Sequence, residues 1–155
     1  MSQRSVAERL AEAGLTLPPV AAPVASYVPA LVSGPWVFVS GQLPFEGGEL
    51  KRKGKVGGAV APEEAKRLAQ VAGLNAVAAA ASVVGGLGGL KGVVKVTGFV
   101  ASAPGFNGQP SVVNGASDLF QRLFGDSGRH ARSAVGVSEL PLDAPVEVEV
   151  IFERA

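Results

Sequence analysis

Arg132 opens the segment Arg132-Ser133-Ala134-Val135-Gly136-Val137, in which every other side chain is small or apolar. Packing explains a guanidinium poorly in such company. Its planar fork matches a carboxylate bidentately and its charge is not titrated away, so the chemistry it offers is anchoring an anion. A surface salt bridge is the alternative reading of the same residue. Downstream, Val146-Glu147-Val148-Glu149-Val150 alternates strictly, which turns the valines toward a core and the glutamates to the other side. This acidic face can be the solvated side of an amphipathic edge strand. Glu147 follows Arg132 across the turn Leu140-Pro141-Leu142-Asp143, so a hairpin would bring the two near each other on paired strands.

Other chemistries are excluded or weak. The chain has no Cys and one His, which removes disulfides, thiolate nucleophiles and histidine metal clusters. No metal or cofactor is expected. Ser40-Gly41 lacks the Gly-x-Ser-x-Gly setting of a hydrolase nucleophile. Gly85-Gly86-Leu87-Gly88-Gly89 has neither phosphate-loop spacing and reads as a helix terminator. The run Lys51-Arg52-Lys53-Gly54-Lys55 reads as a solvated loop, and His130, in a Gly/Arg-rich connection, as a loop residue. With a net charge of +1 and only 6% aromatics, nucleic acid is not an expected partner.

The elements that must position these residues can be placed. Ser5-Val6-Ala7-Glu8 fits a capping box for a short helix ending at Gly14, and Leu15 to Pro29 is a Pro-rich connector. Strands are predicted over Tyr27–Val32 and Trp36–Ser40 about a Gly34-Pro35 turn, then over Val93–Ala101, Ala131–Val137 and Val146–Phe152. Helices are predicted from Pro62 to Val84 and from Ser111 to Phe124. Two helices backing one mixed sheet make an α+β fold with a single domain over 24–155, preceded by the helix and connector of 1–23. Hydrophobic residues make up 47% and charged residues 17%, an apolar balance that self-association would cover. Arg4, Glu8, Arg9 and Glu12 leave no apolar core for a signal peptide, and no stretch reads as a membrane span, so the expected location is cytoplasmic.

Taken in order, Ser40-Gly41-Gln42-Leu43-Pro44, Asn114, Arg132 to Val137 with Leu140-Pro141, and Val146 to Glu149 resemble the signature blocks of the YjgF/RidA family, with Tyr27 at the expected distance upstream. The resemblance implies a chorismate-mutase-like fold, a homotrimer and a small-molecule cleft at each subunit interface. It also implies hydrolysis of reactive imines and enamines of the 2-aminoacrylate type to a 2-keto acid and ammonia. By position, Arg132 would hold the substrate carboxylate and Glu147 would activate water. Tyr27, Ser40, Gly41, Asn114 and Ala134 would line the cleft, with Ala134 standing where many members carry Cys. The longer N-terminal extension, the Ala101–Pro110 loop and the 125–131 connection depart from the best-known members, marking a divergent branch. A non-catalytic 2-keto-acid-binding module and an endoribonuclease-like translation inhibitor are the rival functions.

Overall fold

The computed structural model describes residues 3–23 and 25–155. The first helix, α1 (Val6–Glu12), carries the expected capping box. The Glu8 N–H donates to Ser5 Oγ at 3.2 Å, and the Ser5 N–H donates to the Glu8 carboxylate at 2.6 Å. Leu10 fastens it to the core. The boundary expected between residues 23 and 24 involves Val24, which lies outside the described residues.

β1 (Ala30–Ser33) and β2 (Trp36–Gln42) form a hairpin whose turn uses Gly34 at φ 57°. The strand expected from Tyr27 begins only at Ala30. Pro29 has no N–H to give, and the Val28 and Pro29 carbonyls are taken by the hydroxyl and N–H of Ser40, at 2.6 and 2.9 Å. Tyr27 therefore sits on a bend beside the sheet.

Next come α2 (Pro62–Ser82), β3 (Leu90–Ala101), α3 (Gln109–Phe124), β4 (Ala131–Val137) and β5 (Val146–Arg154). These match the predicted elements, each within a few residues at its ends. Pro62 occupies the first turn of α2, where a missing N–H costs nothing. The sheet order is β1-β2-β5-β3-β4, mixed because β3 and β4 run parallel while the other pairs are antiparallel.

One expectation fails. β4 and β5 do not form a hairpin, because the long β3 lies between them. β4 is reached from β3 through α3, and parallel pairing requires such a crossover.

Helices α2 and α3 cover one face of the sheet, burying Val146, Val148, Val150 and Phe152 of β5 and Val96 and Val100 of β3. Small residues let these layers close. A Cβ on Gly73 would stand 3.2 Å from the Ala116 Cβ, and one on Gly115 would overlap the Lys66 carbonyl. A Cβ on Gly98 of β3 would overlap Val113. Helix α3 is thereby pressed onto β3, which sets Asn114 and Ser117 beside β4.

Candidate functional site

Arg132 projects to the helix-covered side of β4. Its Nη1 donates to Asn114 Oδ1 at 2.7 Å and to Ser117 Oγ at 3.2 Å, and its Nη2 donates to the Pro110 carbonyl at 3.3 Å. All three acceptors are neutral. Among the described residues no carboxylate lies within ion-pair distance of Arg132, so the salt-bridge reading does not hold. A half-buried guanidinium with only neutral partners among the described residues has the chemistry to take an anion. It opens into a shallow polar cavity of about 380 Å³, shared with Asp118, Gln121, Arg129 and His130. Ala134, two residues along β4, shares the face of Arg132 and packs against the core.

Glu147 occupies the opposite face. Its neighbours Val146 and Val148 are buried under the helices, so Glu147 turns away from them. It registers with Phe99 of β3. Burial, and secondarily the negative charge of Glu149, push its carboxyl above the ordinary carboxylate range. No cation pairs with it among the described residues.

The Glu147 carboxylate rests directly on Gly41. A Cβ there would overlap Oε1 and stand 2.8 Å from the carboxyl carbon. Between Val39 and Gln42 the β2–β5 register shifts, so Ser40 and Gly41 together stand opposite one residue of β5, Glu149. Gly41 also lines, with Tyr27, Leu43 and Phe45, a cavity of about 30 Å³, room for a water or two. Ser40 is committed to the fold, since its hydroxyl holds the Val28 carbonyl at 2.6 Å.

The sequence-predicted residues thus fall into two groups. Tyr27, Ser40, Gly41 and Glu147 gather at one place, while Asn114, Arg132 and Ala134 gather at another. Two polar residues escaped the sequence reading. Ser117 accepts from Arg132, and His130, taken for a loop residue, bonds Ser117 through Nε2 at 2.8 Å and the Gly128 carbonyl through Nδ1 at 2.6 Å. Their spacing carried a signal, since Ser117 lies one helical turn past Asn114 and His130 lies two residues before Arg132.

Comparison with known proteins fits this geometry to a family. The family model described as YjgF/chorismate mutase-like, putative endoribonuclease, matches residues 7–153. The chain belongs to the YjgF/RidA family. Protein TCP17 of Trypanosoma cruzi is 42% identical over 149 residues, covering 96% of this chain and 93% of the relative. The crystal structure of Atu1372 from Agrobacterium tumefaciens, a protein of unknown function, superposes with a TM-score of 0.88 at 43% identity, covering 97% of this chain and 92% of that one. A putative endoribonuclease from Shewanella oneidensis superposes with a TM-score of 0.93 at 31% identity, covering 97% and 99%. Against this YjgF/RidA framework, the chorismate-mutase-like α+β fold with its mixed sheet is the family's own. Among the described residues no cluster of His, Cys, Asp or Glu could hold a metal ion, and no helix is long and apolar enough to cross a membrane.

Proposed function

We propose that this YjgF/RidA chain hydrolyses 2-imino acids and their enamine tautomers to 2-keto acids and ammonia, in clefts formed between copies of a homotrimer. The observation that carries the reading is the pair of unmatched charges. Among the described residues Arg132 has no carboxylate and Glu147 no cation within ion-pair distance, and each is half-buried on the sheet. Burying unpaired charge is costly, and a ligand that brings a carboxylate to one and a hydrolysable carbon to the other offsets that cost.

The chemistry demands little more. An imine carbon is already electrophilic, so the site needs an anchor, a water and a proton carrier. Arg132 holds the substrate carboxylate. As water adds to the C=N carbon, the Glu147 carboxylate takes one of its protons and the π pair moves to nitrogen. Returning that proton to nitrogen gives the carbinolamine, and Glu147 then carries the hydroxyl proton to the amino nitrogen, so that ammonia leaves as the C=O bond forms. Tyr27 and Gly41 line the water-sized recess beside the carboxylate.

The test is coupled turnover, with an amino-acid oxidase or a pyridoxal-phosphate dehydratase generating the imine in place. The parent accelerates keto-acid release, and Arg132→Ala and Glu147→Gln abolish the acceleration. Absence of acceleration with every imine moves the chain to the keto-acid-binding reading. The endoribonuclease name borne by the family and by the Shewanella relative gains ground only if RNA is cleaved by the parent and spared by Arg132→Ala.

A further inference from the structure

We propose that Ser117 and His130 are positioning residues for Arg132, a two-link hydrogen-bond relay that orients the guanidinium and sets how tightly it holds a carboxylate. The proposal rests on the anchor role of Arg132.

With a neutral imidazole, the direction of every bond in the relay follows from one acceptor-only group. The Gly128 carbonyl only accepts, so His130 Nδ1, 2.6 Å away, carries a hydrogen and donates. In that tautomer Nε2 accepts, and the Ser117 hydroxyl 2.8 Å away donates to it. With its hydrogen committed to His130, Ser117 Oγ turns a lone pair to Arg132 Nη1, which donates at 3.2 Å. Without His130, the hydroxyl rotates freely and can aim its hydrogen at the cation instead. Ser117 is only 5% exposed, so its hydroxyl is held mainly by these two protein partners.

The far end is anchored by packing. A Cβ on Gly128 would overlap the backbone of Phe120 and stand 2.8 Å from Gln121 Cα, so this turn lies directly on α3 because the residue is Gly. The His130 ring meets the Phe120 ring edge-on, with centroids 6.0 Å apart and planes at 84°.

The relay has a consequence at the guanidinium. Both Nη1 hydrogens are spent on Asn114 and Ser117, and one Nη2 hydrogen on Pro110. Nε–H and the second Nη2 hydrogen have no partner among the described residues. Two such hydrogens on one edge of the fork match two carboxylate oxygens. Ser117 and His130 touch no ligand in this scheme. They act by holding the opposite edge still, so that less ordering is required on binding.

The experiment titrates 2-oxobutanoate, a 2-keto acid, into the full chain by calorimetry and measures kcat and KM for its imine, using the parent, Ser117→Ala, His130→Leu and His130→Gln. The first two variants weaken Kd and raise KM about tenfold, the size of one lost bond to a charged group, with a smaller change in kcat. His130→Gln, whose side-chain oxygen can accept from Ser117, restores most of the affinity. Folded Ser117→Ala and His130→Leu variants with parental Kd overturn the proposal, as does His130→Gln binding no better than His130→Leu. A His130 hydrogen found on Nε2 rather than Nδ1 by nitrogen NMR overturns it too. If the parent binds the keto acid but turns over no imine, the deaminase reading falls while Kd still reads the relay. A parent that binds no 2-keto acid removes the anchor, and the relay with it.

Discussion

Arg132 and Glu147 stand on opposite faces of the same sheet. Arg132 registers with Val96 of β3 and Glu147 with Phe99, three residues farther along the same strand. An odd offset along a strand reverses the face, so no rotamer change brings the two side chains together within one chain. In the proposed reading, the Arg132 edge of one copy meets the Glu147 face of another. Two inactive variants then complement each other. Arg132→Ala and Glu147→Gln, unfolded together and reassembled in equal amounts, recover activity, because about one cleft in four joins two intact halves by random assembly. Each variant reassembled alone stays inactive. Equal inactivity of the mixture would place both groups in one chain's site and contradict the geometry.

Gly41 tests the other half. Its φ is not in the left-handed region, so alanine is tolerated by the backbone and only its methyl group matters. That methyl occupies the resting place of the Glu147 carboxylate, which must swing outward. Gly41→Ala is expected to lower kcat on a 2-imino acid by about 100-fold, in keeping with loss of a positioned acid–base group. Its stability falls by only about 1–3 kcal/mol, as for other overpacking changes. Parallel turnover and urea-unfolding measurements separate the two effects.

How the chain declared itself differs between its layers. Helices and strands were legible because capping at Ser5, Pro62 at a helix start and the Val/Glu alternation of β5 are local signals. The partnership of β4 was not legible. Chain order suggests a hairpin to β5, whereas the pairing with β3 depends on α3 crossing over, which the close fits at Gly98 and Gly115 allow. The same non-local packing brings Ser117 to His130, so a lone histidine looked idle in the sequence and is a hydrogen-bonded partner in the fold. Arg132 was legible by residue type and Glu147 through the family resemblance, but their faces needed the register.

The raised carboxyl of Glu147 makes a stability prediction with a definite sign. Burial, its first cause, and then Glu149 disfavour the charged form in the folded state. The unfolded chain releases this proton at the ordinary carboxylate value, the folded chain only at higher pH. The contribution of Glu147 to stability is therefore present below the unfolded value and lost as pH rises through the folded one. Glu147→Gln is accordingly more stable than the parent at neutral pH, and its advantage shrinks as the solution is acidified into the carboxylate range. Thermal unfolding of both proteins across that window checks it, and a pH-independent difference would mean that Glu147 is not charged against its surroundings.

The face that carries Glu147 also carries the largest uncovered apolar groups of the sheet. Leu31 registers with Phe38 and Phe38 with Ile151, and beside them Trp36 pairs with Ser33. Leu31, Phe38 and Trp36 are 59%, 42% and 39% exposed, on the side the helices do not cover. Such a continuous patch is expected to be buried on association, since leaving it in water forfeits about 25 cal/mol for each Å² of apolar surface. Light scattering at micromolar concentration should give three times the 15.6 kDa chain mass. Phe38→Glu puts a charge where that patch would close, without touching the helix-covered core, and should shift the mass toward the single chain while the circular dichroism is kept. Imine turnover should fall with the loss of the assembly, because Arg132 and Glu147 are both intact in that variant and only their meeting is prevented. A Phe38→Glu protein that is monomeric yet fully active would require a site within one chain, which the register between Val96 and Phe99 does not allow.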